Sequence, residues 1–350
     1  MLISEKIKNI GNAVHLDEIR ENNYRICAGQ IKSLNINITS RCNEKCIYCY
    51  FSHKGVHKHG RDIDEKLFYR ITQEAADLGV ADVGLYTTGE PFLNPNLPQY
   101  VAWCKKLEIP YVYVSTNGIL CTQEKLKLVA DAGLDSLKFS IGGMRTFLQH
   151  HGVDAFDLVK RNIYEASNYR EKNHLNYKLY LYYVVTKYNQ EEVDDVRESF
   201  KDYVDEIIFT DCQDGFVPLI GLEEFLAPAG HDVCLVPGDR RIPCSQLFNR
   251  AVIDETGWLC ACCSCDPCIK VIDLNDIPLI DGLNSEQMCN LRKRHLDHDI
   301  DGTLCKICAT GRFDKENMHA FHEAFEETAR KEVPIDIRNE IKRRFKDNRI

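Results

Sequence analysis

Between Ser33 and Asp211 the chain alternates strand-like and helix-like stretches, and that alternation leaves few folds open. Ser33-Leu34-Asn35-Ile36-Asn37-Ile38-Thr39 switches between polar and apolar at every residue, the period of a strand. Further strands are predicted at 83–87, 111–114, 136–141, 177–186 and 206–210. Between them apolar residues recur at helical spacing, as with Leu67, Ile71, Ala75 and Leu78 over 61–78. Helices are also predicted near 97–107, 155–170 and 190–203, and over 122–132, where Gly133 is a stop signal. Strands that each lead into a helix imply parallel pairing through crossover connections. About six such units are too few for a closed eight-strand barrel. The expected fold class is α/β, a partial (β/α)6 barrel with its working groups at the C-terminal ends of the strands.

The rhythm stops after residue 212, where Gly, Pro and Cys become frequent. The expected organisation is a lead-in over 1–32 and a core over 33–212. A small cysteine-rich domain over 230–312 and a helical C-terminal extension over 313–350 complete it. Asn249 to Thr256 followed by Gly257 reads as a hairpin turning at Glu255-Thr256-Gly257, with Cys244 and Cys262 on its two strands. The net charge of −9 does not suit a nucleic-acid partner, which calls for a basic stripe. The charged start MLISEKIKNIGNAVHLDEIR lacks an apolar core of signal-peptide length. No run approaches the roughly 18 apolar residues of a membrane span. A cytoplasmic location without membrane association is therefore expected, and there clustered cysteines bind metal or do chemistry more often than they form disulfides.

Of the 17 cysteines, Cys42, Cys46 and Cys49 stand as C-x3-C-x2-C just after the first strand. Thiolates are the usual ligands of iron–sulfur clusters, most often four per cubane. Three local ligands leave one iron open to chelate a small molecule. Zinc sites favour C-x2-C pairs and four ligands.

This arrangement resembles the radical S-adenosylmethionine (radical SAM) superfamily, whose signature is C-x3-C-x-aromatic-C, with Tyr48 in the aromatic place. The resemblance covers residues 33–212 and implies that a [4Fe–4S] cluster binds the amino and carboxylate groups of S-adenosylmethionine (AdoMet). Thr87-Thr88-Gly89-Glu90-Pro91 matches a G-G-E-P-type motif after the second strand, with Thr88 in place of the first Gly. Ser115-Thr116-Asn117-Gly118 matches the S-T-N-G motif after the third strand, and Ser140 lies on the fourth. The implied AdoMet contacts are thus Tyr48, Gly89, Glu90, Ser115, Asn117 and Ser140. Many relatives place an Arg a dozen residues beyond the strand-four Ser; here that region reads Gln149-His150-His151-Gly152, and Arg145 is out of register. The AdoMet carboxylate partner stays open. His150 and His151 read as a solvated helix start, and His53, His57 and His59 as a mobile loop.

Cys244 upstream of the Gly257-to-Cys262 interval, with Cys305 and Cys308 downstream, resembles the SPASM and shortened twitch domains. No cysteine follows Cys308, so the resemblance implies one auxiliary [4Fe–4S] cluster on Cys244, Cys262, Cys305 and Cys308. Cys263 is an alternative to Cys262, and a structural zinc an alternative to the cluster. Cys260, Cys265, Cys268 and Cys289 exceed one cluster's needs and leave a further metal site open. Cys27, Cys104 and Cys121 read as small apolar residues.

The resemblance implies an enzyme that generates a 5′-deoxyadenosyl radical and draws electrons from a low-potential donor such as flavodoxin or ferredoxin. The leading expectation is an oxidoreductase acting on a small polar molecule, a sugar, aminocyclitol or sugar nucleotide, with the auxiliary cluster taking the substrate's electron. A redox-neutral epimerase or dehydratase starts from the same abstraction. A peptide or protein maturase is the other alternative; such enzymes often carry a leader-binding winged helix, for which the 32 residues before Ser33 are few. No residue is identified as the catalytic base.

Overall fold

The structure is a computed structural model that describes residues 14–53, 60–212, 242–262, 270–301, 303, 305 and 343–345. Along the chain the first elements are α1 (Leu16–Glu21), β1 (Ser33–Ile36), α2 (Tyr50–His53), α3 (Glu65–Asp77), β2 (Asp82–Gly84), α4 (Leu97–Lys106) and β3 (Tyr111–Thr116). They are followed by α5 (Gln123–Asp131), β4 (Ser136–Ile141), α6 (Phe147–His151), α7 (Phe156–Lys172), β5 (Lys178–Val185), α8 (Val193–Phe200) and β6 (Glu206–Asp211). The C-terminal part contributes α9 (Gln246–Asn249), β7 (Arg250–Ile253), β8 (Trp258–Cys260), β9 (Lys270–Asp273), α10 (Leu279–Leu283) and α11 (Glu286–Leu296).

All nine strands form one sheet in the order β6-β5-β4-β3-β2-β1-β7-β8-β9. β1 to β6 pair in parallel with their sequence neighbours, as the strand-then-helix alternation requires. Leu137, Phe139 and Ile141 of β4 are fully buried and share one apolar core with Val129, Val159 and Ile163 of the crossover helices. The residues between them on β4, Lys138 and Ser140, are half-buried and take the other face, because side chains alternate along a strand.

β7 to β9 lie inside the stretch expected to form a separate cysteine-rich domain, yet β7 pairs in parallel with β1 and extends the same sheet. The hairpin turn falls where expected, at residues 254–257. Cys244 is not on its strand: α9 intervenes, and Cys262 lies two residues past the end of β8. The four-residue helix forms because Asn249 N–H reaches back to Ser245 O at 2.8 Å, which moves Cys244 one turn away from β7. Cys308, Cys263 and the expected C-terminal helical extension, apart from 343–345, lie outside the described residues.

Arg292 ties the lead-in to this C-terminal part. Its side chain is fully buried and donates to Leu247 O at 2.9 Å, Tyr24 O at 3.0 Å and Leu283 O at 2.8 Å. Burial pulls the guanidinium down to about 10, so it remains charged at neutral pH. Arg292→Met leaves three carbonyls on three segments without their donor. A loss of about 3–5 kcal/mol in denaturant unfolding is expected. A loss below about 1 kcal/mol would show that water replaces the guanidinium.

Among the described residues no helix is long and apolar enough to cross a membrane.

Candidate active site

The cysteine loop leaves the C-terminal end of β1 and is closed at its neck. Thr39 and Asp62 form an isolated antiparallel bridge, Ser40 N–H donates to Arg61 O at 3.0 Å, and Ile63 N–H to Ile38 O at 3.1 Å. Arg41 forks onto Asp62, with Nη2 at 2.6 Å from Oδ2, and also donates to Leu93 O at 2.7 Å. None of these neck contacts uses a thiol, and Cys42, Cys46 and Cys49 ride on a pinned excursion.

Two further loops press on it. Gly89 has no room for a side chain: a Cβ there would lie 2.2 Å from Thr39 O and 2.6 Å from Arg41 O. Glu90 is buried and its two oxygens organise the neighbouring loop. Oε1 accepts from Phe92 N–H at 3.0 Å and from the Thr116 hydroxyl at 2.7 Å, and Oε2 accepts from Asn117 N–H at 2.7 Å. Asn117 Nδ2 in turn donates to Asn43 Oδ1 in the cysteine loop at 2.8 Å. Burial pushes the Glu90 carboxyl up to about 7 despite these three donors. Ser115 and Ser140 are half-buried on the same face of β3 and β4.

The histidines depart from expectation. His150 and His151 are buried, not a solvated helix start. The cause is the docking of α6: Lys45 N–H donates to His151 O at 2.9 Å and Ile47 N–H to His150 O at 2.8 Å, so the cysteine loop caps the helix. Gly142 N–H donates to His151 Nε2 at 2.8 Å, which makes that nitrogen the acceptor and places the ring hydrogen on Nδ1, facing Glu44 Oε2 at 2.8 Å. His151 Nδ1 is also 3.4 Å from Cys46 Sγ, and the Cys46 thiol is 3.1 Å from Glu44 Oε2. The Tyr48 hydroxyl reaches His151 Nε2 at 3.2 Å, and its ring packs so closely over Gly142 that a Cβ there would lie 2.5 Å from that hydroxyl. Glu44 is not among the residues the sequence picks out, and His151 reads there only as part of a solvated helix start; the hint for Glu44 is a carboxylate inside the C-x3-C interval. Arg145 pairs with Asp195 on the surface, away from this cluster. The loop of His57 and His59, and the His53 side chain, fall outside the described residues.

The donor set suits a cubane better than a single ion. Burial pushes the Cys42 thiol up to about 12 and raises Cys46 and Cys49 as well, so binding metal must expel their protons. One tetrahedral zinc with bonds of about 2.3 Å would draw its sulfurs to about 3.8 Å from one another. Among the described residues, the three ligand atoms gathered within 4.8 Å of one another belong to Glu44, Cys46 and His151, not to the three cysteines. Three buried side-chain oxygens, Glu44 Oε1 and Thr87 Oγ1 in these loops and Gln149 Oε1 on α6, have no hydrogen-bond partner among the described residues, as expected where a polar ligand completes the site. Of the C-terminal cysteines, Cys244 and Cys305 are half-buried, as is Cys262, and Cys244 N–H donates to His295 Nδ1 at 3.2 Å.

A family profile described as the Radical SAM superfamily matches residues 36–200. A probable GTP 3′,8-cyclase of Methanococcus maripaludis is 33% identical over 140 residues, covering 39% of this chain and 46% of that protein. The chain thus matches less than half the length of that curated relative. Among solved structures, Streptococcus suis SuiB bound to S-adenosylmethionine superposes with a TM-score of 0.58 at 17% identity, covering 79% of this chain and 71% of that one. The structure of anSMEcpe with bound AdoMet and Cp18Cys peptide gives 0.56 at 16% identity, covering 89% and 99%. At such identities the structures share a fold.

Proposed function

We propose that this chain, whose residues 36–200 match the Radical SAM superfamily profile, is a radical SAM enzyme that cleaves AdoMet reductively and oxidises a small polar substrate. Cys42, Cys46 and Cys49 would hold a [4Fe–4S] cluster through three thiolates, leaving the fourth iron for AdoMet. Together the cluster and AdoMet supply a 5′-deoxyadenosyl radical, which takes a hydrogen atom from substrate carbon. The chain's own part is to position and to exclude water. The observation that carries this reading is the Glu90 frame. One buried carboxylate joins the Gly89-Glu90 loop to the Thr116-Asn117 loop, and Asn117 joins both to the cysteine loop. Ser115 and Ser140 offer hydroxyls from the adjoining strands, and Tyr48 closes the site on the Gly142 side.

The oxidation half rests on Cys244, Cys262, Cys305 and Cys308 as ligands of one auxiliary [4Fe–4S] cluster, in a C-terminal unit that follows a core over 33–212. The hairpin between Cys244 and Cys262 is hydrogen-bonded to the strand that leads into the first cysteine loop. Lys32 N–H donates to Asn249 O at 2.8 Å, and Asn37 Nδ2 to Glu255 Oε2 at 2.7 Å. Both cysteine regions therefore share one frame, which favours electron transfer between substrate and a closed cluster. The partial match to a protein named for GTP is compatible with a sugar nucleotide among the small polar candidates.

Anaerobic reconstitution followed by incubation with AdoMet, reductant and candidate metabolites tests this. About eight irons per chain are expected, two cubanes of four, with substrate-dependent 5′-deoxyadenosine seen by mass spectrometry. Four irons, or stoichiometric zinc, would remove the auxiliary cluster. A product at the oxidation level of its substrate would make the enzyme an epimerase or dehydratase.

A further inference from the structure

We propose that Lys138 is a substrate-binding residue that receives an anionic group, a carboxylate or phosphate, on the substrate. The assignment rests on the radical SAM reading, because it places the substrate beside the bound cofactor.

The face of the sheet opposite the helices is polar and aromatic. Tyr86 follows β2, Tyr111 and Tyr113 lie on β3, and Tyr180 and Tyr182 on β5. Across this face the Tyr113 hydroxyl on β3 passes over Gly84 of β2 to Asn35 Oδ1 on β1, at 3.0 Å. Lys138 on β4 stands within it. Its Nζ lies 5.0 Å from the Tyr86 ring centroid and 4.7 Å from that of Tyr182, so residues following β2 and on β5 grip it from two sides.

Ring faces attract an ammonium through their quadrupole and fix its place, but they carry no net charge to balance it. Other lysines on the sheet are balanced: Lys178 pairs with Asp205 at 3.1 Å and Lys270 with Asp254 at 2.5 Å. Lys138 makes no ion pair among the described residues. A half-buried cation held between two rings, with no counter-ion among the described residues, is complementary to an oxyanion. Its position gives that oxyanion a role. Lys138 is in register with Ser115 and stands two residues before Ser140 on the same face, about 6.6 Å deeper along the strand. An anion at Lys138 would therefore lie level with Ser115 and below Ser140, the two serines proposed to meet AdoMet.

The bland account is that the lysine stem only packs against the tyrosines while its head reaches water. Binding measurements separate the two. The probes are matched pairs: GTP and guanosine, glucose 6-phosphate and glucose, glucuronate and glucose. Each is titrated by equilibrium dialysis into the anaerobically reconstituted holoenzyme with AdoMet present. The wild type should hold at least one anionic probe about tenfold tighter than its neutral parent. Lys138→Met should lose that preference, and Lys138→Arg should keep most of it. No preference in the wild type, or an undiminished preference in Lys138→Met, overturns the proposal. So does weakened AdoMet binding in Lys138→Met with the anion preference intact, because the ammonium would then serve the cofactor's carboxylate. AdoMet binding by the wild type alone is measured first. Its absence would undo the functional reading, whereas loss of the anion result alone would undo only the role of Lys138.

Discussion

Replacing Cys42, Cys46 and Cys49 together by alanine is expected to abolish 5′-deoxyadenosine formation and to lower the iron content from about eight to about four per chain. The fold should survive. The neck of the loop is held by the Thr39–Asp62 bridge and by Arg41 on Asp62, and neither uses a thiol. Circular dichroism and iron content therefore report separately. An unfolded variant would mean that metal binding supplies folding energy to the loop, against the geometry of its neck. Residual AdoMet cleavage in a folded variant would place the reactive cluster elsewhere in the chain. The loss should be complete, because each of the three thiolates would hold one iron of the cluster and the variant removes all three at once.

Much of this site could be read from the sequence because its chemistry is local. C-x3-C-x2-C lies within eight residues, and each companion motif directly follows a strand whose two-residue period is plain. What escaped depends on packing between distant segments. His150 and His151 sit in a short polar helix that looks solvated, and only its docking against Lys45 and Ile47 buries them. The alternation Ser-Leu-Lys-Phe-Ser-Ile on β4 shows which residues share a face. It does not show that Tyr86 and Tyr182 converge on Lys138. The change of composition after residue 212 marks where the strand-and-helix rhythm stops, but composition says nothing of the parallel pairing between β7 and β1. Arg292 is a similar case. The sequence reading draws nothing from Arg292, whose burial follows from three carbonyls contributed by three segments.

Glu90 is the residue where fold and chemistry compete most directly, and a large effect is expected there. Its ordinary carboxyl value is 4.5 and burial lifts it to about 7 in the folded chain. Between those values the folded state binds more protons than the unfolded one. Stability therefore falls as pH rises from about 4.5 to about 7 and is flat above, by no more than about 3 kcal/mol. An ammonium group bound beside Glu90 would reverse that bias, since it favours the charged carboxylate. AdoMet affinity in the wild type should accordingly rise from pH 5 to pH 8. Glu90→Gln should flatten both trends, because the amide does not titrate. Glu90→Ala removes the acceptor for Phe92 N–H, Asn117 N–H and the Thr116 hydroxyl at once. It should weaken AdoMet binding by about 100-fold, through the lost ammonium contact and the loosened loop together. Equilibrium dialysis across this pH range, on cluster-loaded protein, measures both effects. If Glu90→Gln keeps the wild-type affinity and its pH slope, Glu90 only braces the Thr116-Asn117 loop. The AdoMet ammonium would then have to be met by another acceptor, and the buried Glu44 Oε1, without a partner in the same group of loops, would be the next oxygen to replace.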